Sequence, residues 1–512
     1  MSINSYNGWE KMNRSIEVMR SSAKLLSSQI VVVTFSLFYF IIITRLLTKL
    51  ELSSIAIFII ITTFCAMFTG LGLTASCLQK APELLNKGEK VEACALIKIS
   101  IFIPFILSLI IAIGAFFISP WISKIFFKTQ GYANLVKVMI LGIVTYKLQE
   151  ILGHIFKVVQ RFGKMAITKV INDVGGKILG LTLFFAFGIK GYIFGLIIGQ
   201  GLAILFSIYY LRDYIFFKSR LYPIGRLVRY SLPYYSDGFV RFGTMQADQL
   251  IIGVFLRPEL LATYYVVRRS FDYLQFYIDA LLGPIVPKIA ELKTQGKEII
   301  QRAFTKTSRY LSFSLIPVSL LIAAISYPLL RIYGGDKYIG ATPVLALLSL
   351  ATIAYGLYSL YGINVYILGK PVERFKQESV SSLLNVLLGL GLVIPLNIFG
   401  LAVARLFSLS GAASFSRHLL KKLSKTKFDI LAFRHTLVAS LLMVTVIIIA
   451  QLLYYNIFIV PVYVLAGITV YLFFFCRVLN RDDIDLIRGF LPGRLLPLVK
   501  LIYFFGGKKL KF

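Results

Sequence analysis

The sequence runs to 512 residues, 58% of them hydrophobic and only 15% charged, with a formal net charge of +32 at pH 7. In a soluble chain that basic excess would read as nucleic-acid binding, but a mean hydropathy of +0.80 excludes a soluble domain. The two facts agree only when the apolar mass lies in lipid and the charge in the connecting loops, with no nucleic acid as partner.

Taken in chain order, the stretch 9–24 reads as an interfacial helix rather than a cleavable signal peptide, because Glu10 and Glu17 sit among Lys11, Arg14 and Arg20. Apolar runs follow at 25–44, 53–78, 99–118, 135–156, 170–187, 192–211, 231–256, 262–285, 310–330, 343–367, 380–397, 401–416, 436–453 and 457–475. In hydrocarbon each must be a helix, which alone satisfies its own backbone polar groups within one segment. The strand alternation of a membrane barrel is absent. The expected fold is an all-α polytopic membrane protein of about 14 transmembrane helices. A second interfacial segment is expected at 484–505, ahead of Lys508, Lys509 and Lys511, which suit anionic headgroups.

The loops give the orientation. Alternate connections hold 40 of the 55 lysines and arginines, the opposite set holds eight, and seven fall within spans. That bias assigns both termini and the long basic loops to the cytoplasm, in a multi-pass protein of the inner (cytoplasmic) membrane. No loop is large enough to house a separate enzyme. The four cysteines (Cys65, Cys77, Cys94 and Cys476) and three histidines (His154, His418 and His435) form no metal-like cluster, so no metal and no cofactor are expected.

Lys80–Ser100 and Lys288–Ser308 align without gaps and share seven of 21 positions, among them Glu83/Glu291, Gly88/Gly296 and Lys98/Lys306. Nearly the same offset pairs Glu51 with Glu259, Pro120 with Pro328 and Gly191 with Gly400. The expected organisation is a six-helix lobe over 1–216, a second over 217–422, two additional helices over 423–476 and an interfacial tail over 477–512. Six spans per copy give both copies the same orientation. Parallel repeats of that kind flank a cavity that opens to alternate sides of the membrane.

Arg45-Leu46-Leu47, Leu71-Gly72-Leu73 and the run Ala247-Asp248-Gln249-Leu250-Ile251-Ile252-Gly253, followed by Phe255-Leu256, Glu259 and Tyr264, carry a family pattern. The chain resembles the polysaccharide branch of the multidrug/oligosaccharidyl-lipid/polysaccharide exporter superfamily, which contains the flippases for lipid-linked O-antigen, capsule and related repeat units. The resemblance implies a flippase rather than an enzyme. It would move a polyprenyl-pyrophosphate-linked oligosaccharide to the outer leaflet by alternating access, with membrane lipid, polysaccharide polymerase and glycosyltransferases as partners. A peptidoglycan lipid-precursor flippase is the near alternative. A multidrug/cation antiporter follows, and then a membrane polymerase or acyltransferase.

Charges within spans carry the site prediction, since each costs a few kcal/mol and must face a partner or water. Asp237, Arg241 and Asp248 fall on one stripe of the seventh span, as do Arg268, Asp272, Gln275 and Asp279 on the eighth. Lys147, Glu150 and His154 repeat the theme, and so do Asp173 and Lys177. Ion pairing at i,i+4 would account for Asp237–Arg241, Arg268–Asp272 and Asp173–Lys177. It leaves Arg269 and Arg405 over, with two adjacent arginines at one depth. A pyrophosphate suits such a surplus. Arg241, Arg268 and Arg269 are therefore the expected headgroup ligands, followed by Lys147, Lys177 and Arg405, with Asp248 or Asp279 as carrier of a coupling ion.

Overall fold

A computed structural model describes residues 31–219, 224–283, 285, 297–369, 371–423, 426–477 and 479. The interfacial segments expected at 9–24 and 484–505 lie outside these residues, as does the 288–296 part of the repeat. Among the described residues every regular element is helical. Seven helices are long and apolar enough to cross a membrane, and two shorter apolar helices, Val31–Leu46 and Val460–Phe475, accompany them. This is a multi-pass membrane protein.

The helical stretch Phe162–Ile215 covers 54 residues, about twice what a bilayer crossing needs at 1.5 Å per residue. It is therefore folded in two. Gly188 takes φ 60°, ψ −148°, a conformation a side chain rarely tolerates, and reverses the chain without a loop. The two arms close on each other through glycines: a Cβ on Gly195 would stand 2.5 Å from the Gly180 backbone, and one on Gly199 2.2 Å from Gly176. Small residues let helix backbones approach where lipid gives no hydrophobic drive to associate. The same device recurs 209 positions later, where Asn397 (φ 50°, ψ −138°) breaks the helix Pro371–Leu423. Gly191 faces the Leu183 carbonyl as Gly400 faces that of Leu392. The duplication read from the loops is thus repeated in the hairpins, and in the paired nine-residue helices Ser119–Phe127 and Ser326–Gly334.

The chain divides into two compact units between Tyr265 and Val266. That packing boundary lies beyond the 216/217 boundary expected from the repeat. Within the first unit, the Ile224–Met245 helix docks on the Leu73–Asn86 helix. Leu71 and Gly72 adopt positive φ between the helices Lys49–Thr69 and Leu73–Asn86. A Cβ on Gly72 would lie 2.1 Å from the Ser231 carbonyl oxygen, so only glycine admits this approach. Ser76 and Ser231 share a hydrogen bond of 2.7 Å, and Tyr234 Oη donates to Gln79 at 2.6 Å. Glu51 closes a reciprocal cap with Thr48 at the start of the Lys49–Thr69 helix. Glu259 stands in the first turn of Pro258–Leu282, so the repeated acid marks a helix start in both copies.

Within the second unit, the last two helices pack on Lys297–Ala324. Asp429 caps Ile430–Leu453 and pairs with Arg309 at 3.3 Å, while Tyr471 Oη donates to the Phe313 carbonyl at 3.0 Å.

Candidate functional site

Each unit carries its own group of membrane-depth cations. In the second unit the group is gathered around one ring and one acid. Arg268, on the Pro258–Leu282 helix, is only 3% exposed and its Nε donates to Asp272 Oδ1 at 2.9 Å. Arg269 reaches the other oxygen of the same carboxylate at 3.8 Å. The residue without an acid at i±4 thus finds one at i+3. Arg405, from the Pro371–Leu423 helix, is 1% exposed. Its guanidinium lies 5.6 Å from the Phe271 ring centroid and that of Arg268 lies 4.9 Å from it. A desolvated guanidinium over a phenyl ring gains about 2 kcal/mol. Phe271 thus offsets part of the repulsion between two buried cations.

Exposure grades along the predicted stripe of this helix. Arg268 is buried, Asp272 and Gln275 are half-buried and Asp279 is exposed. Asp279 accepts from Tyr355 Oη at 3.0 Å, and the Tyr355 ring lies 6.2 Å from Phe271. Two aromatics therefore connect the carboxylate to the arginines.

In the first unit the cations are spread out. Lys147 is 6% exposed and pairs with the half-exposed Glu150 at 2.9 Å. Its ammonium is pressed against Gly70, where a Cβ would lie 3.0 Å away. Arg241 is exposed. His154 lies within electrostatic range of Lys157, Glu150, Lys147 and Arg241, and Tyr146 within range of Glu150 and Arg241. The structure thus brings Lys147 and Arg241 into one field with Glu150 and His154.

Two expected stripes are rearranged. The seventh span is not one helix: Ile224–Met245 ends, Gln246 leaves helical geometry and Ala247–Phe255 begins. Asp248 consequently leaves the Asp237–Arg241 face and becomes fully buried. Its oxygens accept from Tyr264 Oη at 2.7 Å and from the Gln249 backbone N–H at 2.9 Å. In the hairpin, a π-helical turn spans Ile171–Gly175 and includes Asp173. Lys177 instead donates to Ser36 Oγ at 2.6 Å and lies 5.9 Å from the Tyr39 ring, while Asp173 accepts from Asn172.

Sequence reading missed Phe271, Tyr355 and Lys128. An aromatic at i+3 from Arg268 was the available signal for Phe271; Tyr355 lies 76 residues from its partner and leaves none. Lys128, at φ 61°, donates to the Ile125 carbonyl at 2.8 Å and to the Gly253 and Val254 carbonyls at 3.5 and 2.6 Å. It thereby holds the C-terminal ends of two helices, Ser119–Phe127 and Ala247–Phe255, where their dipoles favour a cation. Partial burial lowers its ammonium pKa below the ordinary lysine value.

A sequence model described as "Polysaccharide biosynthesis protein" matches residues 42–343, more than half of the chain. The chain belongs to this family. No curated protein sequence matches it. Among solved structures, "Lipid II flippase MurJ, inward closed conformation" is similar with a TM-score of 0.75 at 18% identity, covering 88% of this chain and 97% of that one. An inward-facing multidrug resistance MATE family transporter of the MOP superfamily follows at TM-score 0.62 and 14% identity, over 77% and 95%. A MOP superfamily transporter from Pyrococcus furiosus scores 0.53 at 14% identity, over 79% and 95%. These likenesses establish the fold of this family member as that of the MurJ and MATE proteins.

Proposed function

We propose that this member of the polysaccharide biosynthesis family is a flippase for polyprenyl-pyrophosphate-linked oligosaccharide repeat units at the cytoplasmic membrane. The observation that carries the reading is the second-unit group, in which Arg268 and Arg269 share the Asp272 carboxylate and Arg268 and Arg405 share the Phe271 ring. Asp272 satisfies at most one unit of positive charge, and the half-exposed Arg269 and Asp272 form the accessible edge of the group. Arginine's planar fork suits phosphate oxygens, and a buried neighbour of like charge raises the attraction for an anion. Arg241 and Lys147 supply a second cationic station in the first unit. Lys177 and Arg405 support these stations from within the helix packing, while Asp279, exposed beside Tyr355, is the better placed of the two carboxylates to carry a coupling ion. The pyrophosphate would move along these cations while the polyprenyl tail stays in lipid and the glycan in water. Expected partners are the glycosyltransferases that build the unit and the polymerase that consumes it.

A peptidoglycan lipid precursor is the second reading. It is favoured by the TM-score of 0.75 to a lipid II flippase structure, against which stands the family's own description.

The test is the double variant R268A/R269A. It should still reach the membrane, and surface glycan should be lost well beyond any fall in abundance, which is measured alongside. Full glycan display from that variant overturns the assignment of the arginines. Restored cell-wall synthesis in a precursor-flippase-deficient strain would select the second reading.

A further inference from the structure

A different group of cations gathers in the first unit where the second arm of the glycine hairpin ends. The last turns of the Gly176–Ile215 helix and the residues after it carry Tyr209, Tyr210, Tyr214 and Phe217. Four cations lie over these rings. Lys164 Nζ is 4.0 Å from the Tyr210 centroid and Lys90 Nζ 4.6 Å from that of Phe217. The Arg161 guanidinium is 5.4 Å from Tyr214 and that of Arg212 5.0 Å from Tyr209. A fifth, Lys98, donates to the Phe217 carbonyl at 2.5 Å, and Arg161 also donates to the Tyr210 carbonyl. The acid in contact is Asp213, 3.6 Å from Arg161 and 4.0 Å from Arg212.

These cations come from three stretches of sequence, all in loops that the basic-residue bias assigns to the cytoplasm. The helix C-terminus attracts them through its dipole, and Lys98 and Arg161 spend donors on the Phe217 and Tyr210 carbonyls. Ring faces hold the others differently from an ion pair. A π-face fixes a cation in place without neutralising it and takes up little of its N–H donor capacity. The result is a fixed positive rim that Asp213 cancels only in part, since one carboxylate faces both Arg161 and Arg212 among five cations.

What lies next to the rim identifies its occupant. Leu202, Leu205, Tyr209, Arg212 and Phe216 recur at helical spacing along one face, and all are exposed; Leu205 is 65% and Phe216 73% exposed. That face changes from aliphatic to tyrosine to arginine over about 15 Å of helix. It matches a phospholipid read from acyl chain to headgroup. A soluble polyanion would have no use for the aliphatic half.

We propose that this rim is a binding site for anionic phospholipid, its phosphate held by Lys90, Lys164 and Arg212 and its acyl chain lying along Leu205 and Leu202. The site rests on the membrane placement of the chain and is independent of what the protein exports. It would anchor the end of the glycine hairpin to one leaflet.

The experiment uses the full chain in nanodiscs of phosphatidylcholine, with and without one third phosphatidylglycerol, and reads the thermal unfolding midpoint. The anionic lipid should raise the wild-type midpoint. The K90Q/K164Q variant should melt as wild type in pure phosphatidylcholine and lose at least half of the gain. K421Q/K422Q, which removes equal charge from exposed lysines of another basic loop, should keep the full gain. Equal responses in wild type and K90Q/K164Q overturn the site, as does an equal loss in K421Q/K422Q. Full replacement of the lipid effect by millimolar inorganic pyrophosphate would show a phosphate site without lipid selectivity and overturns the lipid assignment. If the double variant fails to accumulate, K164Q alone replaces it, with a partial loss expected and an unchanged response contradicting the site.

Discussion

The two units solve the problem of charge at membrane depth in opposite ways. The first spreads it: Arg241 is exposed, while the buried Lys147 leans on a half-exposed acid with no shared ring. The second draws it in, with Arg268 and Arg405 both under 4% exposed and both against Phe271. An exposed cation is tolerated by water and is available to a ligand, but contributes little to the fold. A buried one is tolerated only through its partners, so each partner becomes structural. The difference teaches that membrane-depth arginines in one chain need not share a role. In the first unit charge is decoupled from stability; in the second, binding and folding draw on the same side chains.

Substitutions can break or sharpen this contrast. Asp272→Leu should have the largest effect, a loss of about 2–3 kcal/mol, because it removes the carboxylate that the buried Arg268 and its neighbour Arg269 share. Thermal unfolding in detergent reads it; a wild-type midpoint would mean that the group is not held by a shared acid. Phe271→Leu preserves apolar volume but removes the ring face, and should cost about 1–2 kcal/mol. Phe271→Tyr should retain most of the stability, which separates the π contribution from simple packing. Lys128→Met should cost about 0.5–1 kcal/mol by leaving carbonyls at two helix ends without their donor. Arg241→Ala should change stability least, within about 0.5 kcal/mol, while lowering glycan export at least tenfold. If instead its unfolding midpoint falls as far as that of Asp272→Leu, the contrast between the units disappears.

Much of the fold was legible because its signals are local. Apolar runs mark the helices, and the Gly191/Gly400 match falls beside the chain reversals at Gly188 and Asn397 in the two hairpins. The boundary acids Glu51 and Glu259 are helix starts, as their repetition implied. The site was legible in part. The Arg268–Asp272 pair follows from spacing on an unbroken helix. The stripe through Asp237, Arg241 and Asp248 did not survive because the helix breaks at Gln246 and restarts at Ala247, which turns Asp248 to another face. The contact of Arg405 with Phe271 joins residues 134 positions apart in sequence. No periodicity encodes it; only the packing of the Pro371–Leu423 helix does.

The central claim is that these cations recognise the pyrophosphate of a lipid-linked glycan. It is tested most directly by flipping in proteoliposomes, with a fluorescent polyprenyl-pyrophosphate oligosaccharide and a membrane-impermeant quencher reporting leaflet exchange. Wild-type protein should exchange that lipid, and should exchange the same glycan on an uncharged polyprenyl ether at least tenfold more slowly. R268Q/R269Q should reduce the first rate to that of the second. Equal rates for the charged and uncharged lipids, with no change in the variant, would contradict the account.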